Sequence, residues 1–209
     1  MKARALSVAG ALEFTPQVFA DERGLFVSPF QEPTFTQVTR QPLFRVAQTN
    51  HSMSRNGTIR GIHYTRTPPG SAKYVYCAGG SAIDFVVDLR TGSPTFGQWD
   101  SVVMDQQGFR ATYLPVGVGH AFIALEDSTV MSYLVSQSYV ADDELAVSVF
   151  DPGLALPLPQ GRQLILSGRD SAAPTLAEAQ AQGLLPTYEG SQRIEKSQRV
   201  EKSECAGRR

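Results

Sequence analysis

Only three histidines occur in the 209 residues, and one of them, His63, sits in the run Thr58-Ile59-Arg60-Gly61-Ile62-His63-Tyr64. The run is rich in β-branched side chains and predicts a strand, which sets a titratable base beside a permanent cation on one sheet. That pairing suits removal of a proton from an anionic substrate. Arg60 and His63 have opposite parity and point to opposite faces of a regular strand. Gly61 between them predicts a bulge or a close backbone approach, a break that would let both side chains address one cavity.

The elements that must position these groups are strands. Period-two segments bounded by Gly, Pro, Asp and Ser predict strands over 26–30, 58–64, 72–77, 82–89, 99–104, 111–116, 120–125 and 130–135. Turn signals such as Gly92-Ser93-Pro94 and Glu126-Asp127-Ser128 separate them at close intervals, which points to an all-β sandwich or barrel rather than βαβ units. Gly79-Gly80 reads as a hairpin turn. One helix is predicted over 174–183, opened by Pro174 and stopped by Gly183. A single domain is expected over 1–190; beyond it, 191–209 is a polar, internally repeated tail expected to be a frayed helix or disordered.

Alternation then sorts the polar residues. Lys73 shares a face with Val75 and Cys77, while Ile83, Phe85, Val87 and Leu89 form an apolar face that leaves Asp84 and Asp88 on the other side. Asp84 is expected to pair with Lys73. His120 is in phase with Phe122 and Ala124, and Tyr133 with Thr129, Met131 and Val135, so these polar groups converge on one cavity.

Composition bounds the function. Nineteen basic against 20 acidic side chains give a net charge of -1, so no global field attracts nucleic acid or an anionic membrane, and an anionic ligand must be held by local cations. There is no apolar run of bilayer length and no signal-peptide pattern, which points to the cytoplasm. Cys77 and Cys205, one in a strand and one in the tail, give neither a disulfide framework nor metal-ligand spacing and are expected as reduced thiols. His63 has no partner histidine close by, so a metal centre is not expected, and neither a Ser-His-Asp order nor a glycine-rich phosphate loop is visible. Taken alone, a strand histidine is more often a satisfied half-buried residue than a catalyst, and an inward tyrosine more often core.

Seven segments in register tip that balance: Phe19-Ala-Asp-Glu-Arg23-Gly24, Gln48-Thr-Asn50-His-Ser52, Ile59-Arg-Gly-Ile-His63-Tyr64, Asp88-Leu-Arg-Thr-Gly-Ser-Pro-Thr-Phe-Gly97, Gly119-His120-Ala-Phe122, Tyr133 and Leu166-Ser-Gly-Arg-Asp170. Together they resemble the dTDP-4-keto-6-deoxyglucose 3,5-epimerase family, from about Phe14 to Tyr188. Thr65-Arg-Thr-Pro-Pro-Gly70 and Tyr113-Leu-Pro-Val-Gly-Val-Gly-His120 resemble its antibiotic-deoxysugar branch, which includes 5-epimerases. The resemblance implies a metal-free cupin jelly roll with a short carboxy-terminal helix, no cofactor, and a homodimer that exchanges amino-terminal strands. It implies that His63 is the base acting beside the C4 ketone of a dTDP-4-keto-6-deoxysugar, oriented by Asp170. Tyr133 would return a proton from the opposite face, and Lys73 would stabilise the enolate. Arg23, Arg60 and His120 would hold pyrophosphate and sugar, Phe19 and Tyr139 would flank the thymine, and Gln48 and Asn50 would add polar contacts.

Ser28, Leu134, Gln137 and Ser138 depart from the family pattern, the last three next to the expected acid. The sequence leaves open whether C3, C5 or both are inverted. Two other readings remain: a non-catalytic sugar-nucleotide-binding cupin, with no need of Tyr133 and Asp170 together, and a 3,4-ketoisomerase, which shares the base but not the acid.

Overall fold

The computed structural model describes residues 1–161 and 163–206, residues 198–206 as backbone alone. The chain runs through Lys2–Ala5 (β1), Leu12–Thr15 (β2), Val18–Asp21 (β3), Gly24–Val27 (β4), Glu32–Thr39 (α1), Gln48–Ser54 (β5), Ile59–Thr65 (β6), Lys73–Gly79 (β7) and Ser81–Asp88 (β8). It continues through Trp99–Asp105 (β9), Ala111–Leu114 (β10), Val118–Ala124 (β11), Thr129–Val135 (β12), Glu144–Ala146 (β13), Gly168–Ser171 (α2), Leu176–Ala181 (α3) and Tyr188–Ala206 (α4).

Two antiparallel sheets face each other as a jelly-roll sandwich. One is six-stranded in the order β1-β2-β10-β7-β12-β5, the other five-stranded in the order β13-β6-β11-β8-β9, and β3 and β4 form a separate hairpin. Between the sheets, Val75, Cys77 and Met131 meet Val86 and Phe122, all buried. Each outer face is covered too. The apolar face of β8 expected from alternation, with Phe85, Val87 and Leu89, turns away from this interior and packs under the carboxy-terminal segment, against Val147, Leu154 and Ala179. On the other sheet Phe14, Tyr74 and Tyr113 are covered by Phe35 of α1, with Phe14 and Phe35 stacked at 5.6 Å. The polar inward members Gln48, Asn50 and Ser52 of β5, His63 of β6, Lys73 of β7, His120 of β11 and Tyr133 of β12 line a cavity at one end of this interior.

Several expectations shift. The strand expected over 26–30 is β4, which ends at Val27 ahead of Pro29, whose carbonyl accepts from the Tyr74 hydroxyl at 2.8 Å. Gly79-Gly80 is a turn but not a hairpin, because β7 and β8 lie in different sheets. Gly80 has φ +74, and a Cβ there would lie 2.7 Å from Thr129 Oγ1. The helix expected over 174–183 is the shorter α3: Thr175 is its N-cap in a capping box with Glu178, so Pro174 lies outside it. The boundary expected at 190 falls inside α4. Beyond it, Ser191 is fully buried, Ile194 packs on the aromatic cluster, and the Glu195 carboxylate accepts from Val116 N at 2.8 Å. The Cys205 side chain lies outside the described residues; Cys77 is buried and unpaired, and burial pushes its thiol up to about 11.

Candidate active site

β6 carries the first functional pair. His63 Nε2 lies 2.6 Å from Asp170 Oδ1. Asp170 is buried in α2, with its amide donating to the side chain of its own N-cap Ser167 at 3.1 Å. A carboxylate only accepts, so Nε2 carries the proton and the other ring nitrogen, Nδ1, is left as the basic site. Burial holds the His63 pKa below its usual value; the bond and charge of Asp170 oppose that, and Lys73 and Arg169 reinforce it. The ring is therefore neutral at neutral pH, the state a base requires. For Asp170, burial pushes upward but is outweighed by the bond from His63, its charge, and donors from Gly61 and Ser167, so its carboxyl stays below the usual range.

Gly61 makes this geometry possible. Its φ is +126, and a Cβ would stand 2.4 Å from the His120 carbonyl oxygen. Here β6 pairs with β11 through His120↔His63 and then Phe122↔Arg60, a register shift in which alternation is lost. Arg60 and His63 consequently both line one cavity of about 260 Å³, as Gly61 in the strand predicted.

The opposite wall is the six-stranded sheet. Register places Lys73 against Val135 and Val75 against Tyr133, and Tyr133 against Asn50 with Val135 against Gln48. Lys73, Tyr133, Gln48, Asn50 and Ser52 therefore share the inward face and line the cavity with His63 and His120. Burial lowers the Lys73 pKa; Glu144 and Asp84 raise it and Arg169 lowers it. Burial also pushes the Tyr133 phenol well above its ordinary value, so it carries its proton. The His120 ring meets Tyr133 edge-on, centroids 6.0 Å apart.

The expected pairing of Asp84 with Lys73 is corrected. Asp84 is fully buried and gives its oxygens to His120 Nε2 at 2.5 Å and Thr112 Oγ1 at 3.0 Å. It acts on Lys73 only through space. Alternation had the right face; β8 and β11 are hydrogen-bonded neighbours, so His120 on the same face comes within reach first.

At the mouth, Gln48 Nε2 donates to Asn50 Oδ1 at 2.6 Å, and Gln48 Oε1 accepts from Tyr139 N at 3.0 Å. Tyr139 is itself largely exposed. Arg60 is held by Ser54 Oγ at 3.2 Å and the Met53 carbonyl at 3.4 Å. Phe19 and Arg23 stand elsewhere. They belong to the β3–β4 hairpin and do not line the cavity; Phe19 is 54% exposed and Arg23 is paired with Asp21.

Two cavity groups, Glu144 and Ser52, and one residue of a neighbouring cleft, Arg169, were not singled out from the sequence. Glu144, from the three-residue β13, accepts from Thr65 Oγ1 at 2.9 Å. Arg169 sits 3.8 Å from Asp170 in a neighbouring cleft that also takes in Arg55, Arg60 and Tyr139. Ser52 was seen only as part of a motif. Alternation across β5 would have found it; Glu144 and Arg169 lie in segments with no periodic signal.

A two-sheet jelly roll with a carboxylate-held neutral histidine on one wall and a protonated tyrosine and half-buried lysine on the other defines a proton-transferring isomerase. The chain belongs to the dTDP-4-dehydrorhamnose 3,5-epimerase family, whose model matches residues 5–178. It is 47% identical over 192 residues to the dTDP-4-dehydrorhamnose 3,5-epimerase of Mycolicibacterium smegmatis, covering 92% of this chain and 94% of the relative. It is 45% identical over 194 residues to the dTDP-4-dehydrorhamnose 3-epimerase of Streptomyces niveus, covering 93% of each. Among solved structures, ChmJ, a 3'-monoepimerase from Streptomyces bikiniensis in complex with dTDP-quinovose, superposes with a TM-score of 0.88 at 44% identity, covering 93% of this chain and 98% of that one.

Proposed function

We propose that the protein inverts a carbon next to the C4 ketone of a dTDP-4-keto-6-deoxyhexose, at C5, C3 or both, in the making of an antibiotic deoxysugar. The observation that carries the reading is the placement of His63 and Tyr133 on opposite sheets lining one cavity, with Lys73 on the same sheet as Tyr133. His63 Nδ1 takes the proton from the α-carbon. The C–H electron pair becomes the C=C bond of an enolate, and the negative charge moves to the C4 oxygen, where the Lys73 ammonium meets it as it develops. Tyr133 delivers a proton to the opposite face, the ketone re-forms, and the centre is inverted. Asp170 keeps His63 in the right tautomer and stabilises the imidazolium. Arg60 and His120 hold the sugar and diphosphate, and Tyr139, Gln48 and Asn50 hold the base at the mouth.

The exposed Phe19, Leu25 and Phe26 of the β3–β4 hairpin, 54%, 48% and 70% accessible, support a homodimer in which each hairpin brings Phe19 and Arg23 to its partner's cavity. Among the described residues no helix is long and apolar enough to cross a membrane; a cytoplasmic location is part of the proposed reading.

Incubation with dTDP-4-keto-6-deoxyglucose in deuterated water tests the proposal. Deuterium at C3 or C5 with inversion is the expected result, and the labelled position reads which carbon is attacked. Binding without label would make the protein a sugar-nucleotide binder, and a 3-keto product would make it a ketoisomerase.

A further inference from the structure

Among the described residues, buried side-chain oxygens without a hydrogen-bond partner occur at Ser52 and Ser191. Ser191 lies on the buried side of α4 and does not line the cavity; Ser52 does. A buried hydroxyl with nothing to bond is disfavoured, and its retention at a reactive wall calls for an account. β5 supplies one. Ser52 opposes Met131 and Asn50 opposes Tyr133, so Ser52 is the diagonal, same-face neighbour of Tyr133, within reach of an aromatic side chain. Burial disfavours loss of the Tyr133 proton; the Ser52 hydroxyl, near enough to the phenol to hydrogen-bond with it though outside good geometry in the resting site, opposes this first, ahead of Arg60, while Asp84 and Cys77 add to the effect of burial.

We propose that Ser52 is a positioning residue that acts through Tyr133: its hydroxyl, the same-face neighbour of the phenol on β5, donates a hydrogen bond to the tyrosine oxygen when that oxygen gives up its proton. The proposal rests on the reading of Tyr133 as the acid. In that step the O–H bond of Tyr133 breaks and its proton joins the enolate carbon, whose C=C electron pair forms the new C–H bond. The phenolate oxygen is left in a water-poor wall, and a donor aimed at it stabilises the charge only once it has formed. Water then returns a proton to Tyr133, and His63 releases to water the one it removed, so the cycle balances. The face of β5 is suited to this because Ser52 points inward beside the base-contact residues Gln48 and Asn50 yet is not committed to either of them.

The test separates the Ser52–Tyr133 coupling from the overall reaction. With a fluorinated tyrosine placed at position 133, whose phenol ionises where the fold survives, the ionisation is followed by fluorine NMR without substrate. Ser52→Ala should weaken that acid about tenfold or more, the usual scale of a hydrogen bond to a charged group, and Ser52→Thr should restore it. With substrate, Ser52→Ala should slow inversion by about 10- to 100-fold at unchanged KM, with loss of the α-proton to solvent slowed far less. An ionisation constant indifferent to Ser52, or equal losses in inversion and exchange, would overturn the proposal. A wild-type protein that exchanges no proton at all would instead sink the epimerase reading, whatever the fluorine titration shows.

Discussion

Asp170→Asn tests the electrostatics of the base. The substitution keeps the size of the side chain but removes the charge that sits 2.6 Å from His63 Nε2. Burial, Lys73 and Arg169 all lower the His63 pKa, and only Asp170 raises it. Without that opposition the histidine becomes a weaker base. Since the reaction needs neutral His63, the acid limb of kcat/KM should move to lower pH, while the plateau rate falls because the imidazolium loses its partner. A hydrogen bond between charged groups is worth about 1.5–3 kcal/mol, so the plateau should drop by about 10- to 100-fold, at roughly 1.4 kcal/mol per tenfold. The assay is α-proton washout into deuterated buffer, followed by proton NMR across the pH range. An acid limb that moves upward, or a plateau that is unchanged, would refute the claim that Asp170 supports His63 as the base.

Three further outcomes follow from the fold. Gly61→Ala forces a Cβ to 2.4 Å from the His120 carbonyl at positive φ, and should cost about 3 kcal/mol or more on denaturant unfolding and disorder the pairing of His63 with Asp170. Asp88→Asn breaks the buried fork in which Arg90 Nε lies 2.8 Å from Asp88 Oδ1. Burial pushes the Asp88 pKa upward, but Arg90, Ser93 and Thr95 outweigh it and hold it below the usual range. The wild type should therefore keep this stabilisation above about pH 4 and lose it as pH falls through the depressed value. The variant should be less stable at neutral pH by about 3 kcal/mol and lose less on acidification, as urea titrations at several pH values would read. Truncation after Gly190 removes the buried Ser191, Ile194 and the Glu195 contact to Val116; it should lower stability by about 2 kcal/mol, while truncation after Ser197 should leave Tm unchanged.

How much of this was legible in the sequence depends on what each segment faces. β6, β7, β8, β11 and β12 alternate against an apolar core and were readable. Gly61 also announced its bulge, because only a residue without a side chain fits against the β11 backbone. β5 was invisible as a strand: its inward members are Gln48, Asn50 and Ser52, which face a polar cavity, while Met53 points outward at 68% exposure, reversing the usual pattern. α1 escaped because its threonine-rich sequence has weak helix propensity, and it forms by burying Phe35 on the aromatic cluster. Alternation put Asp84 on the inner face but could not choose between Lys73 and His120, since that depends on which strands are neighbours. The tail's charge concealed the few residues that dock it.

The central claim is that a base and an acid work from opposite walls, and Tyr133→Phe tests it most directly. The change keeps the ring against His120 and removes the hydroxyl from the six-stranded sheet, while His63 and its Asp170 partner stay in place. Deuterium incorporation and product stereochemistry are measured by NMR on one sample in deuterated water. The account predicts that inversion falls by about 10²–10⁴-fold, the usual worth of a positioned proton donor, while exchange with retention falls much less because His63 returns a solvent-derived deuteron to its own face. Equal loss of both signals, or inversion that persists at the wild-type rate, would contradict it.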